Sequence, residues 1–282
     1  MTLGELYQQG KGVLFKAGNQ SPAFDAVCLF QKAFGIDRQA LIIHSGDPAD
    51  AAKAQHYLAW IDERAEGRPL QYILGKWPFM ELTLQVGEGV LIPREETELL
   101  VYTAADLLKN RERPRILDLC SGTGAVALGL ASLLLNAEIT AVELYDQAFT
   151  YLNVNIRETG LQNVTPVQLD ILNPQNAENY SMLDCIVSNP PYVTSGELPT
   201  LQSEVRSEPH TALDGGMDGL VFYRAIASLW LPKLKHGGAA AVEVGEGQAA
   251  EVAALFQAAG LTDIRMVKDF NAIERVVAGT MT

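Results

Sequence analysis

From residue 115 onward the chain alternates short apolar runs with longer helical stretches. Arg115-Ile116-Leu117-Asp118-Leu119 reads as a buried strand, and Cys120-Ser121-Gly122-Thr123-Gly124 turns it into the alanine- and leucine-rich run Ala125 to Leu135. Glu138 to Val142 forms a second strand ending at Glu143, and Thr165 to Leu169 a third ending at Asp170 and Ile171. Leu183 to Ile186 begins a fourth, which runs into Val187-Ser188. Apolar runs without strict alternation suit strands covered on both faces by helices, as in a parallel sheet. Strand, glycine-rich turn and helix is the opening unit of a Rossmann-like α/β fold. Ala239 to Val244 then reads as strand, Gln248 to Ala259 as helix, and Ile264 to Val267 and Glu274 to Val277 as two closing strands.

Residues 1 to 75 have a helical period instead. Thr2 with Glu5 forms a capping-box pattern, and Ser21-Pro22 places a cap before proline at the first helical position. Val27, Phe30 and Phe34 share one face, and Asp37 and Asp50 are positioned to start two further helices. A small helical bundle is expected there. Trp77 to Ile92 alternates apolar and polar residues, with Gly87 and Gly89 as breakers, and predicts a β-hairpin joining two domains. Trp77 and Phe79 are read as hairpin core. The expected organisation is a helical domain over 1–75, a hairpin linker over 76–92 and an α/β domain over 93–282. Ser195 to Gly219 has few regular apolar repeats and reads as a lid or substrate loop.

Composition narrows the class. A chain of 282 residues with 48% hydrophobic and 20% charged residues is long enough for one good core and a smaller domain. No run approaches the length of a membrane span or a signal segment, so a cytoplasmic protein is expected. The formal net charge of −13 argues against a large phosphate-contacting surface and suits a basic protein partner. Arg111, Arg113 and Arg115 cluster, but with Glu112 and Pro114 between them they read as a solvated connection. Cys28, Cys120 and Cys185 stand far apart in apolar contexts and are read as reduced core residues, with neither disulfide nor metal expected.

The candidate chemistry gathers at the carboxyl ends of the strands, where the switch-point rule puts ligands. The order Ser-Gly-Thr-Gly departs from the G-x-G-x-x-G of a pyrophosphate cradle. S-adenosylmethionine fits better: it has a ribose for Glu143, an amino-acid carboxylate for the N–H groups of Cys120 to Gly124, and an adenine for Asp170 and Ile171 to flank. Glu143 lies about 19 residues past Gly124, near the spacing at which an acid meets ribose hydroxyls. The fourth strand runs into Asn189-Pro190-Pro191-Tyr192. Proline fixes φ and lacks a donor, and the residue before it is pushed to extended backbone. The turn is therefore rigid and rich in acceptors, and it can hold a planar amide or amine beside the methyl donor. Asn189 and Pro190 would accept the amide hydrogens and Tyr192 would stack on the amide plane. The same turn also ends strands for purely structural reasons, so the upstream features carry the assignment. No general base is assigned, and His210 reads as a surface residue. Asp118 either orients the cofactor loop or simply ends its strand.

With these residues in view, the chain resembles class I methyltransferases of the glutamine N5-methyltransferase (PrmC/HemK) family. The resemblance runs from about Ala23 to the C-terminus. It includes Arg68-Pro69-Leu70-Gln71-Tyr72-Ile73-Leu74-Gly75, Leu91-Ile92-Pro93-Arg94-Glu95-Glu96-Thr97-Glu98, Glu204-Val205 and Glu208-Pro209. Ala212-Leu213-Asp214-Gly215-Gly216, Asp218-Gly219-Leu220 and Phe222-Tyr223 continue it. Three departures stand out: Glu95 replaces a proline, Cys120-Ser121 replaces glycine and threonine, and Ala272 sits where glycine is common. The resemblance implies a mostly parallel sheet with an antiparallel closing pair, and methyl transfer from S-adenosylmethionine to the glutamine of the Gly-Gly-Gln motif of peptide chain release factors. It implies that residues 1–75 recognise that substrate, that Ser195 to Gly219 borders its entry, and that Arg94 and Glu98 sit near the cofactor mouth. Three alternatives stay open: a ribosomal-protein glutamine methyltransferase, a nucleic-acid amino-methyltransferase, and a binding protein that kept the fold without activity.

Overall fold

The computed structural model describes every residue from Met1 to Thr282. The chain forms two compact units, Met1–Lys76 with Gln202–Ser207, and Trp77–Leu201 with Glu208–Thr282. No helix is long and apolar enough to cross a membrane.

In the first unit, α1 (Leu3–Lys16), α2 (Pro22–Phe34), α3 (Arg38–Ile43), α4 (Ala51–Ala65) and α5 (Leu70–Leu74) follow one another. Their caps are largely those the sequence predicts. Thr2 and Glu5 form the reciprocal capping box, and the carboxylates of Asp37 and Asp50 accept from Ala40 N and Lys53 N. Ser21 is the exception: its side chain makes no capping bond, and its own amide goes to Asn19 Oδ1 instead. Leu6, Leu29, Phe30, Tyr57 and Ile61 fill the core, with Phe30 stacked on Phe34. One ion pair lies inside it. Arg64 Nε donates to Asp25 Oδ2 at 2.6 Å, both side chains being 6% exposed, and the same guanidinium reaches Glu204. The segment Ser203–Arg206 (α10) thereby belongs to this unit although it is distant in sequence.

The second unit opens with the hairpin β1 (Lys76–Phe79) and β2 (Leu82–Gln85), shorter than the alternation to Ile92 suggested. Phe79 is buried as predicted, while Trp77 remains half-buried. The hairpin is held to the α/β core: Asn155, 1% exposed, accepts from Gln85 N and donates to the carbonyls of Gln85 and Thr123. Then come α6 (Glu96–Leu108), β3 (Arg115–Leu119), α7 (Ala125–Leu133), β4 (Glu138–Glu143), α8 (Asp146–Thr159), β5 (Val164–Gln168), α9 (Pro174–Ala177), β6 (Leu183–Ser188), α11 (Val221–Ala225), β7 (Leu234–Glu243), α12 (Ala249–Ala258), β8 (Leu261–Lys268) and β9 (Glu274–Met281).

Seven strands form one sheet in the order β5-β4-β3-β6-β7-β9-β8. The first five are parallel, and β9 pairs antiparallel with both β7 and β8. Alternation in β3 sends Ile116 to the face covered by α6 and α7, and Leu117 and Leu119 to the face holding Trp230 and Phe256. Both faces are thus buried. Chain order reverses between β3 and β6, which opens a crevice at their carboxyl ends.

Two readings of the sequence change here. The helix after the glycine-rich turn stops at Leu133, because Leu134 leaves helical backbone (φ −122°, ψ 71°) and Leu135 is exposed. The arginine cluster is more than a solvated connection: Arg111 donates to the Gly237 carbonyl, Arg113 pairs with Glu138, and Arg115 N binds Asp184. These contacts fasten the amino ends of neighbouring strands.

Both departures from glycine occupy left-handed backbone: Cys120 has φ 61° and Ala272 φ 61°. A side chain there costs about 1–2 kcal/mol. Ala272, in the β8–β9 turn, faces no ligand cavity, so Ala272→Gly is expected to raise the unfolding free energy by up to about 1 kcal/mol once the extra freedom of unfolded glycine is set against the relieved strain. Denaturant titration of the pair measures this, and a loss of stability would show that the turn is unstrained.

Candidate active site

The crevice contains a cavity lined by the β3–α7 loop, the ends of β4 and β5, and the Asn189 turn. Cys120, Ser121, Gly122, Thr123, Glu143, Asp170, Ile171, Asn189 and Pro191, all singled out from the sequence, line it together. Gly124, Pro190 and Tyr192 do not. Gly124 serves the loop otherwise: at φ 85°, a Cβ there would lie 2.7 Å from Leu152, so glycine lets the turn close onto α8.

The loop keeps its shape through its own bonds. Ser121 N donates to the Val142 carbonyl, Gly124 N to the Ser121 carbonyl and Gly122 N to Glu143 Oε2. The expectation that this turn offers its amides to a ligand anion is corrected for these three donors. Asp118, fully buried, does more than end β3: Oδ2 accepts from Ala127 N in the first turn of α7, and its backbone carbonyl accepts from the Ser121 hydroxyl. Its other oxygen, Oδ1, has no partner. Burial pushes its carboxyl up to about 7.

Glu143 is 7% exposed and lies at the cavity wall. Oε2 accepts from Gly122 N at 2.9 Å, and Oε1 accepts from Leu144 N at 2.8 Å and Tyr145 N at 2.9 Å. A carboxylate has about four lone-pair positions, so one remains for a ligand hydroxyl. Burial raises its pKa against the pull of these three donors.

Asn189 stands just beyond β6, whose last residue, Ser188, ties its hydroxyl to the Leu119 carbonyl at 2.6 Å. Asn189 Nδ2 donates to Thr97 Oγ1 of α6 at 3.1 Å. The amide nitrogen is therefore engaged by the protein and the amide oxygen is left to accept. No protein donor reaches the Pro190 carbonyl. Tyr192 sits beside this pair rather than over the cavity. Its carbonyl accepts from Gln248 Nε2, and its backbone lies so close to Gly219 (φ 72°) that a Cβ there would be 2.4 Å from the Tyr192 oxygen.

Two acids to which the sequence reading gave no role complete the site. Glu208, 3% exposed, accepts from Ile92 N and from Arg94, which joins the stretch Leu91 to Glu98 to the loop that carries Glu208. Glu243, at the carboxyl end of β7, is 2% exposed and borders Thr97 and Asn189. Its place at a strand end was the available signal. Glu98 accepts from Met80 N and secures the hairpin turn rather than facing the cavity, and His210 is exposed.

A pyrophosphate suits this cavity poorly: Glu143 and Asp170 face it, and Arg94, the cation among its lining residues, is paired with Glu208. A carboxylate with one acceptor position, beside the apolar Val142, Leu169 and Ile171, fits a cationic nucleoside such as S-adenosylmethionine.

Comparison with known proteins agrees with this chemistry. Residues 5–75 match the PrmC N-terminal domain model, and residues 96–217 the methyltransferase small domain model. The release factor glutamine methyltransferase of Clostridium botulinum is 35% identical over 279 residues, covering 98% of each chain. The chain belongs to the release factor glutamine methyltransferase family. The member from Moorella thermoacetica is 37% identical over 261 residues, covering 92% of this chain and 91% of its own. Among solved structures, the hMettl16 catalytic domain in complex with a 3′UTR hairpin has a TM-score of 0.57 over 71% of this chain and 76% of that one. At 17% identity, that likeness is one of fold. The chain is a methyltransferase, and S-adenosylmethionine is its methyl donor.

The buried acids imply a pH dependence of stability for this family member. Asp118 rises from 3.8 to about 7 and Glu243 from 4.5 to about 7 on folding. Between those values the folded chain holds protons that the unfolded chain releases, so both acids make stability fall as pH rises from about 4 to about 7. Urea unfolding across that range is expected to show a shallower decline for Asp118→Asn than for the parent. An unchanged slope would mean that Asp118 stays ionised when folded.

Proposed function

We propose that the chain transfers a methyl group from S-adenosylmethionine to N5 of the glutamine in the Gly-Gly-Gln motif of peptide chain release factors, and that it does so in the cytoplasm. In this reading residues 1–75 recognise the factor, 76–92 link, and 93–282 carry the chemistry. The observation that carries it is the polarity of Asn189: its nitrogen bonds Thr97, so its oxygen is free to accept from a substrate amide beside the cofactor cavity.

When bound, S-adenosylmethionine supplies a methyl already activated on a sulfonium. Glu143 would hold a ribose hydroxyl at its remaining lone pair, the loop from Cys120 to Gly124 would border the amino-acid portion, and Asp170 with Ile171 would flank the adenine. The difficulty for the protein lies in the acceptor. An amide nitrogen shares its lone pair with the carbonyl, a conjugation whose scale is the ~18–20 kcal/mol barrier to peptide rotation. Asn189 Oδ1 and the Pro190 carbonyl each accept one hydrogen of the substrate amide and contribute about 1–3 kcal/mol apiece. Their larger effect is orientation, since fixing reacting atoms in line can supply about 7–11 kcal/mol. Pro191 walls the cavity and Tyr192 backs the turn. As the nitrogen–carbon bond forms and the carbon–sulfur bond breaks, the amide gives up one proton, which leaves to water.

The test is transfer of labelled methyl to a purified release factor, alongside the same factor with its Gly-Gly-Gln glutamine replaced. Ribosomal protein and tRNA serve as further acceptors. Label on the intact factor alone is expected, and transfer to ribosomal protein or tRNA instead would overturn the substrate. Asn189→Ala is expected to lower kcat at least 100-fold while the Kd of the cofactor changes no more than several-fold. Equal loss of both would make Asn189 a builder of the cofactor site.

A further inference from the structure

Behind the Asn189 turn is a buried acid that the chemistry above does not use. Glu243 ends β7, is 2% exposed, and has one carboxylate oxygen, Oε2, without a partner. A buried carboxylate so placed costs several kcal/mol unless its neighbours favour it. Those neighbours are Thr97 and Asn189, whose polar side chains lie beside it and favour its charged form against desolvation. The charged groups around it are Glu96, which repels it, and Arg275, which attracts it, and the Tyr192 ring is nearby. The Tyr223 hydroxyl donates to the Glu243 backbone carbonyl at 2.8 Å and holds the strand end in place.

The direction of these bonds follows from elementary donor counting. The Thr97 hydroxyl has one hydrogen to donate. It accepts from Asn189 Nδ2, so its own hydrogen is free to turn toward an acceptor, and the neighbouring carboxylate of Glu243 offers one. A carboxylate can only accept. It therefore orders the whole chain one way, with the Asn189 nitrogen inward and its oxygen outward. Were the Asn189 amide flipped, its oxygen would face the carboxylate and its NH2 the substrate amide, which would then meet a donor where it needs an acceptor.

We propose that Glu243, together with Thr97, is a positioning residue that fixes the Asn189 amide with its oxygen toward the methyl acceptor. The role rests on the glutamine-methylation reading for its catalytic consequence, but the orientation itself does not depend on which acceptor is used. Protonation of Glu243 turns it into a donor and removes the preference, so the orientation should titrate. Burial, set against the pull of Thr97, Arg275 and Asn189, holds its carboxyl at about 7.

The experiment has two arms on the full chain. In the first, kcat and KM for the release factor, and the Kd of S-adenosylmethionine, are measured for the parent, Glu243→Gln, Thr97→Val and Thr97→Ser. Glu243→Gln and Thr97→Val are each expected to lower kcat 10- to 100-fold with cofactor Kd within about threefold, and the double variant to lose no more than the worse single one. Thr97→Ser keeps the hydroxyl and is expected to stay within about threefold of the parent. The parent kcat is expected to rise with pH through about 7, and this limb should vanish in Glu243→Gln. Retention of kcat by both Glu243→Gln and Thr97→Val, or a matching loss of cofactor affinity, overturns the proposal. Should Glu243→Gln not fold, Thr97→Val and Thr97→Ser decide the arm between them.

The second arm needs no acceptor. The side-chain 15N–H2 resonance of Asn189, assigned by its loss in Asn189→Ala, is followed with pH. A shift with a midpoint near 7 that disappears in Glu243→Gln supports the positioning role, and a resonance that does not move in the parent overturns it. A parent enzyme that labels no release factor but shows this titration would sink the substrate reading and leave the positioning role standing.

Discussion

Buried carboxyl groups at one edge of a parallel sheet are the constraint around which this molecule is organised. Asp118, Glu143 and Glu243 end or nearly end β3, β4 and β7, and all are at most 7% exposed. Each is expensive to bury, and each is accommodated differently. Glu143 is wrapped by three backbone amides. Asp118 receives the amide of Ala127 and remains half-satisfied. Glu243 leans on two side chains, Thr97 and Asn189. The backbone of the glycine-rich loop, the start of α7 and the aim of the Asn189 turn are all set by where these acids need donors.

The same acids account for the ligand class. A cavity faced by Glu143 and Asp170, with Arg94 neutralised by Glu208, is hostile to phosphate and tolerant of a cation. That separates this glycine-rich turn from the dinucleotide cradles it resembles in outline, where loop amides and a helix N-terminus meet a pyrophosphate. Here Ser121, Gly122 and Gly124 turn their amides back into the protein. The loop is a shaped wall, and the left-handed backbone at Cys120 shows that its curvature is imposed even on a residue other than glycine.

Division of labour between the faces of the sheet completes the site. α6 covers one face with Leu100, Val101 and Ala104 and delivers Thr97 from its first turn to the side chain of Asn189. Arg94, just before that helix, is drawn to Glu208 across 114 residues of sequence. Thus the stretch Leu91 to Glu98 packs, holds Glu208 and bonds the Asn189 turn at once. The loop ending at Gly219 is fastened to Tyr192 by a backbone contact too close for any side chain.

The strands, their order of appearance, the helical N-terminal unit and the cavity-lining strand ends were legible in the sequence, because apolar period, caps and glycine turns act over a few neighbouring residues. Asn189, Glu143 and the loop from Cys120 could be named for the same reason: each sits at a strand end that the local pattern marks. The roles of Thr97, Glu208 and Glu243 could not, since a hydroxyl or carboxylate in a sequence does not reveal which donor it will meet once 92, 114 or more residues of chain have folded between them. Nor could the sequence tell that the loop amides would be taken by Glu143 and the Val142 carbonyl rather than left to a ligand. Local periodicity thus determined the fold and the positions where chemistry gathers. Long-range closure of the sheet decided which way each polar group faces, because only in the packed interior does every buried donor and acceptor have to find a partner.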